Sequence, residues 1–260
     1  MNPIDKAFQK KKPLLVAYLT AGDPSPQESS VLFQALVDGG ADILEIGVPF
    51  SDPGADGPAI QRASERALAS GANLKSALAI AAELPKDHPK VLFGYLNPFL
   101  AFGYEDLAKA CSESGIHGVL CVDCPPEEEG EFRDHLQQQG IHSILLAAPT
   151  TPIERIELLS NSGGGFLYYV SMTGVTGGAV STHSGLEQRL QDVRNTSNLP
   201  IAVGFGIRSP ENVRELAPHV DAVVVGSALV RLVEAHGARA AKPLQELTES
   251  LSAALSDEPQ

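Results

Sequence analysis

Asp42-Ile-Leu-Glu-Ile-Gly47 is a short aliphatic run that opens on Asp42, is broken inside by the carboxylate of Glu45 and is ended by a glycine. It lacks the polar/apolar alternation of a half-exposed strand, so it reads as a strand buried on both faces. Working outward, similar runs recur at Leu14–Leu19, Lys90–Tyr95, Gly118–Val122, Ser143–Ala147, Gly165–Val170, Pro200–Gly204 and Ala222–Gly226. Helical patterns lie between them, at Pro26–Val37, Asn73–Glu83, Glu105–Ser114, Glu127–Gln139, Ile153–Ser160, Leu186–Arg194 and Pro210–Ala217. Ser25, Thr151 and Ser209 each precede a proline and mark helix starts.

Eight strand–helix units in one chain of 260 residues are what a closed (β/α)8 barrel requires. A doubly wound open sheet is the alternative, but it uses fewer strands and needs a topological switch point. No stretch reads as a linker or repeat, so residues 1–260 are expected to form a single barrel domain. Two connections are long. One follows the second strand and contains Phe50–Gly71; the other follows the sixth and contains Ser171–Ser184. Both leave the C-terminal ends of strands, where barrel active sites lie.

Composition narrows the function. A net charge of −13 argues against nucleic acid or an anionic membrane as partner. It leaves room for a small anion held by backbone amides. No apolar run approaches the roughly 20 residues that span a bilayer. The N-terminus has no apolar core of a secretory signal, and three cysteines suit a reducing compartment, so a cytoplasmic location is expected.

Glu45 is the first candidate for chemistry. A carboxylate facing into a barrel is costly unless protonated or hydrogen-bonded, and burial makes it a proton donor near neutral pH. The alternative is a structural glutamate paired with an arginine. Asp56, in the proline-stiffened stretch Val48–Pro58, can reach the same cavity, or else serve as a turn or helix-capping aspartate. Thr173–Gly178, Gly204-Phe-Gly206 and Gly226-Ser227 are glycine-bearing turns at late strand ends, suited to a phosphate on a helix N-terminus.

Absences narrow it further. No lysine lies at the C-terminal end of a strand, as a Schiff-base aldolase would want. No histidine pair has metal-ligand spacing, so no metal is expected. Cys121-Val-Asp-Cys124 ends a strand instead of opening a helix and reads as packing more than as a redox or metal motif. Acid–base chemistry by carboxylates on a phosphorylated molecule remains, and any C–C cleavage then needs a substrate that carries its own electron sink.

Leu19-Thr-Ala-Gly-Asp-Pro24, Leu44-Glu-Ile-Gly-Val-Pro-Phe-Ser-Asp-Pro53, Ala55-Asp-Gly-Pro58, Gly94-Tyr-Leu-Asn-Pro98, Gly174-Val-Thr-Gly177 and Gly204-Phe-Gly-Ile207 together resemble the tryptophan synthase alpha chain family, in order along nearly the whole sequence. The resemblance implies a (β/α)8 barrel that cleaves indole-3-glycerol phosphate to indole and glyceraldehyde 3-phosphate. It implies Glu45 as the catalytic acid–base and Asp56 as the group that hydrogen-bonds the indole N–H. Tyr168 matches an active-site tyrosine, and Gly177, Gly206, Gly226 and Ser227 match phosphate-binding positions. Pro49, Asp52 and Pro53 lie where the family meets its beta subunit, and Thr176 where a closing loop contacts Asp56. The implied assembly is a heterotetramer of two alpha and two beta subunits. No cofactor is expected in this chain, with pyridoxal phosphate in the partner. Three positions depart from the pattern: Met172 stands where arginine is common, Gly54 where a larger apolar residue is, and Cys124 where an aliphatic one is. A phosphosugar isomerase on the same barrel is the generic alternative, because fold alone does not fix function.

Overall fold

The computed structural model describes residues 1–10, 13–170, 183–204, 206–207 and 209–256. Its strands are β1 (Leu14–Thr20), β2 (Ile43–Gly47), β3 (Lys90–Gly94), β4 (Gly118–Cys121), β5 (His142–Ser143), β6 (Leu145–Ala147), β7 (Leu167–Val170), β8 (Ile201–Gly204) and β9 (Ala222–Val225). All pairs are parallel, in the order β5-β4-β3-β2-β1-β9-β8-β7-β6. The two ends of that order, β5 and β6, are separated in the chain only by Ile144. They are two halves of one strand, the first bonded to β4 and the second to β7, so the sheet comes round on itself as a (β/α)8 barrel. The single strand expected over Ser143–Ala147 therefore breaks where the chain changes neighbours.

The helices are α1 (Pro3–Phe8), α2 (Pro26–Asp38), α3 (Pro58–Ala69), α4 (Leu74–Glu83), α5 (Leu96–Phe102), α6 (Tyr104–Glu113), α7 (Gly130–Gln138), α8 (Ile153–Ser162), α9 (His183–Thr196), α10 (Pro210–Leu216), α11 (Ser227–His236) and α12 (Ala241–Ala254). Most of the long connection after β2 is thus helical, and its longest irregular stretch is 48–57. The Ser-Pro starts act through proline: Ser25 and Ser209 sit at N-cap positions without a side-chain cap bond. Thr151 lies one residue outside α8, where its hydroxyl accepts from Ala148 N at 2.9 Å.

Two apolar layers explain why the strands are continuously hydrophobic. Leu14, Val16, Ile43, Val91, Leu120, Ile144 and Phe166 fill the barrel interior, while Leu15, Leu44, Leu92, Val119, Leu145 and Leu167 face the surrounding helices. The N-terminal end of the barrel is closed by α1. Its Ile4 and Ala7 join the interior layer, and the Asn2 side chain donates to His117 O at 2.8 Å and Gly140 O at 2.9 Å. The opposite end is hollow. Among the described residues no helix is long and apolar enough to cross a membrane.

Candidate active site

At the C-terminal ends of the strands lies a cavity of about 360 Å³. Glu45, Asp56, Tyr18, Tyr168, Gly206, Gly226 and Ser227 share its lining with apolar side chains that include Phe93, Val122, Leu146 and Val170. A few converging polar groups in an apolar cleft are the usual form of a small-molecule site.

Glu45 reaches the cavity because β2 alternates. Leu44 and Ile46 pack outward on helices, while Ile43 and Glu45 point in. The side chain is 1% exposed, and its Oε1 has no hydrogen-bond partner among the described residues. Neither does it pair with an arginine among them, so the structural alternative lacks its partner. Burial, followed by the nearby Asp56 carboxylate, pushes its pKa up to about 8.

Asp56 comes from the irregular stretch before α3. Gly57, not Asp56, is the N-cap residue of that helix, so the capping alternative does not hold. The Asp56 carboxylate instead accepts from Tyr95 Oη at 3.1 Å, and that hydroxyl accepts from Ala55 N at 3.1 Å. Gln61 Nε2 donates to Asp56 O at 2.9 Å, and the Tyr95 ring stacks on Phe50. Burial raises the Asp56 pKa to about 6, with the Tyr95 hydrogen bond holding it down. Two carboxyls in one cavity thus titrate on either side of neutrality.

Tyrosines wall the site, and glycines at strand ends make room for them. A Cβ on Gly47 would strike the Tyr18 hydroxyl, and one on Gly204 would strike the Tyr168 hydroxyl. Gly204 is therefore a steric partner of Tyr168, where its turn was read from sequence as an approach path for an anion. Tyr18 Oη is also 3.3 Å from Thr20 Oγ1, with its ring edge-on to Phe93. Sequence reasoning singled out neither Tyr18 nor Tyr95. The tyrosine-glycine contacts cross between strands, so no local pattern carried them.

Gly206 has a left-handed backbone (φ +79°) that favours glycine, and Gly226 and Ser227 open α11, whose N-terminus faces the cavity. Gly177, Thr176 and Met172 lie outside the described residues. On the stretch 48–57, Asp52 is exposed, Pro53 half-buried and Pro49 buried. A side chain at Gly54 would meet open space. Cys121 and Cys124 are buried, free thiols with pKa values raised by burial, which fits packing. Among the described residues no group of three or more His, Cys, Asp or Glu side chains could hold a metal.

The model of the family described as tryptophan synthase alpha chain matches residues 4–257. The chain belongs to the tryptophan synthase alpha chain family. The alpha chain of Novosphingobium aromaticivorans is similar at 44% identity, over 98% of this chain and 97% of that one. A crystal structure of tryptophan synthase subunit alpha from Legionella pneumophila matches at a TM-score of 0.91 and 38% identity, covering 98% of this chain and 99% of that one. A structure of the tryptophan synthase a2b2 complex from Pyrococcus furiosus matches at 0.86 and 36%, covering 94% and 99%. As a member of that family, the chain is a carbon–carbon lyase of tryptophan biosynthesis that acts on indole-3-glycerol phosphate.

Proposed function

We propose that Glu45 and Asp56 divide the work of cleaving indole-3-glycerol phosphate. The observation that carries this is a buried carboxyl, its Oε1 without a hydrogen-bond partner among the described residues, in one cavity with a second carboxyl of lower pKa. With a pKa of about 8, Glu45 holds its proton at neutral pH and delivers it to indole C3. The ring becomes iminium-like. Glu45, now a carboxylate, removes the hydroxyl proton from the adjacent glycerol carbon. As C–O becomes C=O, the C–C electron pair flows back into the ring. Indole and glyceraldehyde 3-phosphate separate, the first keeping the delivered proton at C3, and Glu45 is protonated again by the one taken from the hydroxyl. Asp56, ionised above its pKa of about 6, accepts the indole N–H and stabilises the cationic ring. Because the substrate supplies the electron sink, this half of the reaction needs no cofactor in the chain.

The phosphate is assigned to Gly206, Gly226, Ser227 and the N-terminus of α11, together with Gly177, and Tyr168 to the wall of the indole end. Pro49, Asp52 and Pro53 are assigned to the contact with a beta subunit that carries pyridoxal phosphate, in an assembly of two alpha and two beta chains. Thr176 is assigned to loop closure over Asp56. The whole chain is read as one cytoplasmic domain. The test is indole release from indole-3-glycerol phosphate by the purified chain and by Glu45→Gln, with and without a beta chain. Cleavage abolished in Glu45→Gln with the fold retained supports the reading, whereas substantial residual turnover overturns the role of Glu45. A rate indifferent to the beta chain overturns the partnership.

A further inference from the structure

Two helices bring chemistry to the cavity, and both are fastened at their far ends to one ion network. Helix α3 follows Asp56-Gly57 directly, and Arg66 stands on it about 13 Å beyond Gly57 at 1.5 Å per residue. Helix α11 begins at Ser227, and Glu234 stands about 10 Å along it. The Arg66 guanidinium grips Asp23 with two bonds, Nε to Oδ1 at 2.9 Å and Nη2 to Oδ2 at 2.7 Å, and reaches Glu234 Oε1 at 3.5 Å with Nη1. One turn earlier on α3, Arg62 holds Glu234 with bonds of 2.6 and 2.9 Å. Asp23 sits in the turn after β1 with its side chain 3% exposed. A second link ties the same elements, since Ser70 Oγ, at the end of α3, donates to Gly22 O at 3.1 Å.

Energetics separate the two arms. Exposed pairs such as Arg62–Glu234 contribute little to stability, so their fixed geometry is poorly explained by folding alone. The Asp23 carboxylate, by contrast, is expensive to bury without its arginine, and burial raises its pKa even beside Arg66. Planar bidentate contacts fix angle as well as distance. A substrate with an indole at one end and a phosphate at the other must meet Asp56 and the start of α11 together. The spacing of these two helices therefore decides whether both ends bind in one molecule. We propose that Arg66 is a positioning residue for the cleavage reaction, locking α3 to α11 and to the β1 turn so that Asp56 and the α11 N-terminus are held at the span of the substrate. This rests on the assignment of Asp56 and the α11 N-terminus given above.

The test compares the whole substrate with its fragments in the full-length chain. In Arg66→Lys, which keeps the charge and loses the fork, kcat/KM for indole-3-glycerol phosphate should fall about 10²-fold. Inorganic phosphate and indole, each occupying one end alone, should keep wild-type affinity. Glu234→Gln should show the same split at about tenfold. Unchanged kcat/KM in both variants overturns the proposal. So does a loss of phosphate and indole affinity equal to the loss for the whole substrate, because that marks local damage and not altered span. If Arg66→Lys does not fold, the partly exposed Glu234 decides the matter alone. Failure of the wild-type chain to cleave the substrate would instead strike the catalytic assignment.

Discussion

Glu45 and Lys90 are charged residues buried in neighbouring strands, and they met opposite fates. In the β2–β3 register Lys90 lies opposite Leu44, and Glu45 opposite Val91, so one side chain faces the helices and the other the barrel. Lys90 Nζ donates to Ala81 O at 3.0 Å, Pro85 O at 3.2 Å and Leu84 O at 3.5 Å, satisfying carbonyls left over at the C-terminal end of α4. Among the described residues, Glu45 Oε1 has no such partner. Burial brings both pKa values to about 8, Lys90 downward and Glu45 upward. At pH 7 both hold a proton, but one is a saturated cation and the other a neutral acid with its oxygen free. A buried charge by itself says little; what separates structure from chemistry here is whether the surroundings complete its hydrogen bonds.

The comparison breaks most sharply at Glu45→Gln. Indole release should fall about 10²–10⁴-fold, while thermal melting shows a fold at least as stable as before. If activity persists, Glu45 is as structural as Lys90. Substituting Lys90→Met keeps the aliphatic volume and removes the donors. Denaturant unfolding should show a loss of about 1–3 kcal/mol with kcat unchanged, and a fall in kcat would erase the distinction.

Stability against pH sharpens the contrast, because the two slopes have opposite sign. Between about 4.5 and 8 the folded chain keeps the Glu45 proton that the unfolded chain releases, so this group lowers stability as pH rises. Between about 8 and 10.5 the unfolded chain keeps the Lys90 proton that the folded chain releases, so stability rises there. Each substitution should flatten only its own window in urea titrations. The smallest effect is expected at Tyr95→Phe. Activity should follow a bell with limbs near 6 and 8, and removing the hydroxyl should move only the acid limb upward, with a loss in kcat/KM of about tenfold or less.

The barrel was legible because its strands are buried on both faces, which leaves uninterrupted apolar runs whose number fixes closure. Glu45 was legible for the same reason, being the one acid flanked on both sides by such a run. Asp56 was visible as a candidate but not as a partner of Tyr95, which lies 39 residues away and meets it only in the fold. Helix α1 has just six residues, and its capping Asn2 is spent partly on carbonyls at positions 117 and 140. Helix α5 carries Pro98 in its first turn, and α12 follows α11, beyond the last strand–helix unit, where the alternation gives no cue. Nothing local announces that Asp23 is buried, and its partner Arg66 lies 43 residues away.

Helix α1 has one further consequence. By sealing the floor of the barrel with Ile4 and Ala7, under the interior layer of Val16, Ile43, Val91 and Leu120, it makes the cavity a vessel closed below, with its doorway at the C-terminal ends of the strands. The stretch 48–57 stands at that end of the barrel, with Ala55, Asp56 and Gly57 in the cavity wall itself. A body seated over residues 48–57 would stand in that doorway, governing where each departing molecule goes without touching a catalytic atom.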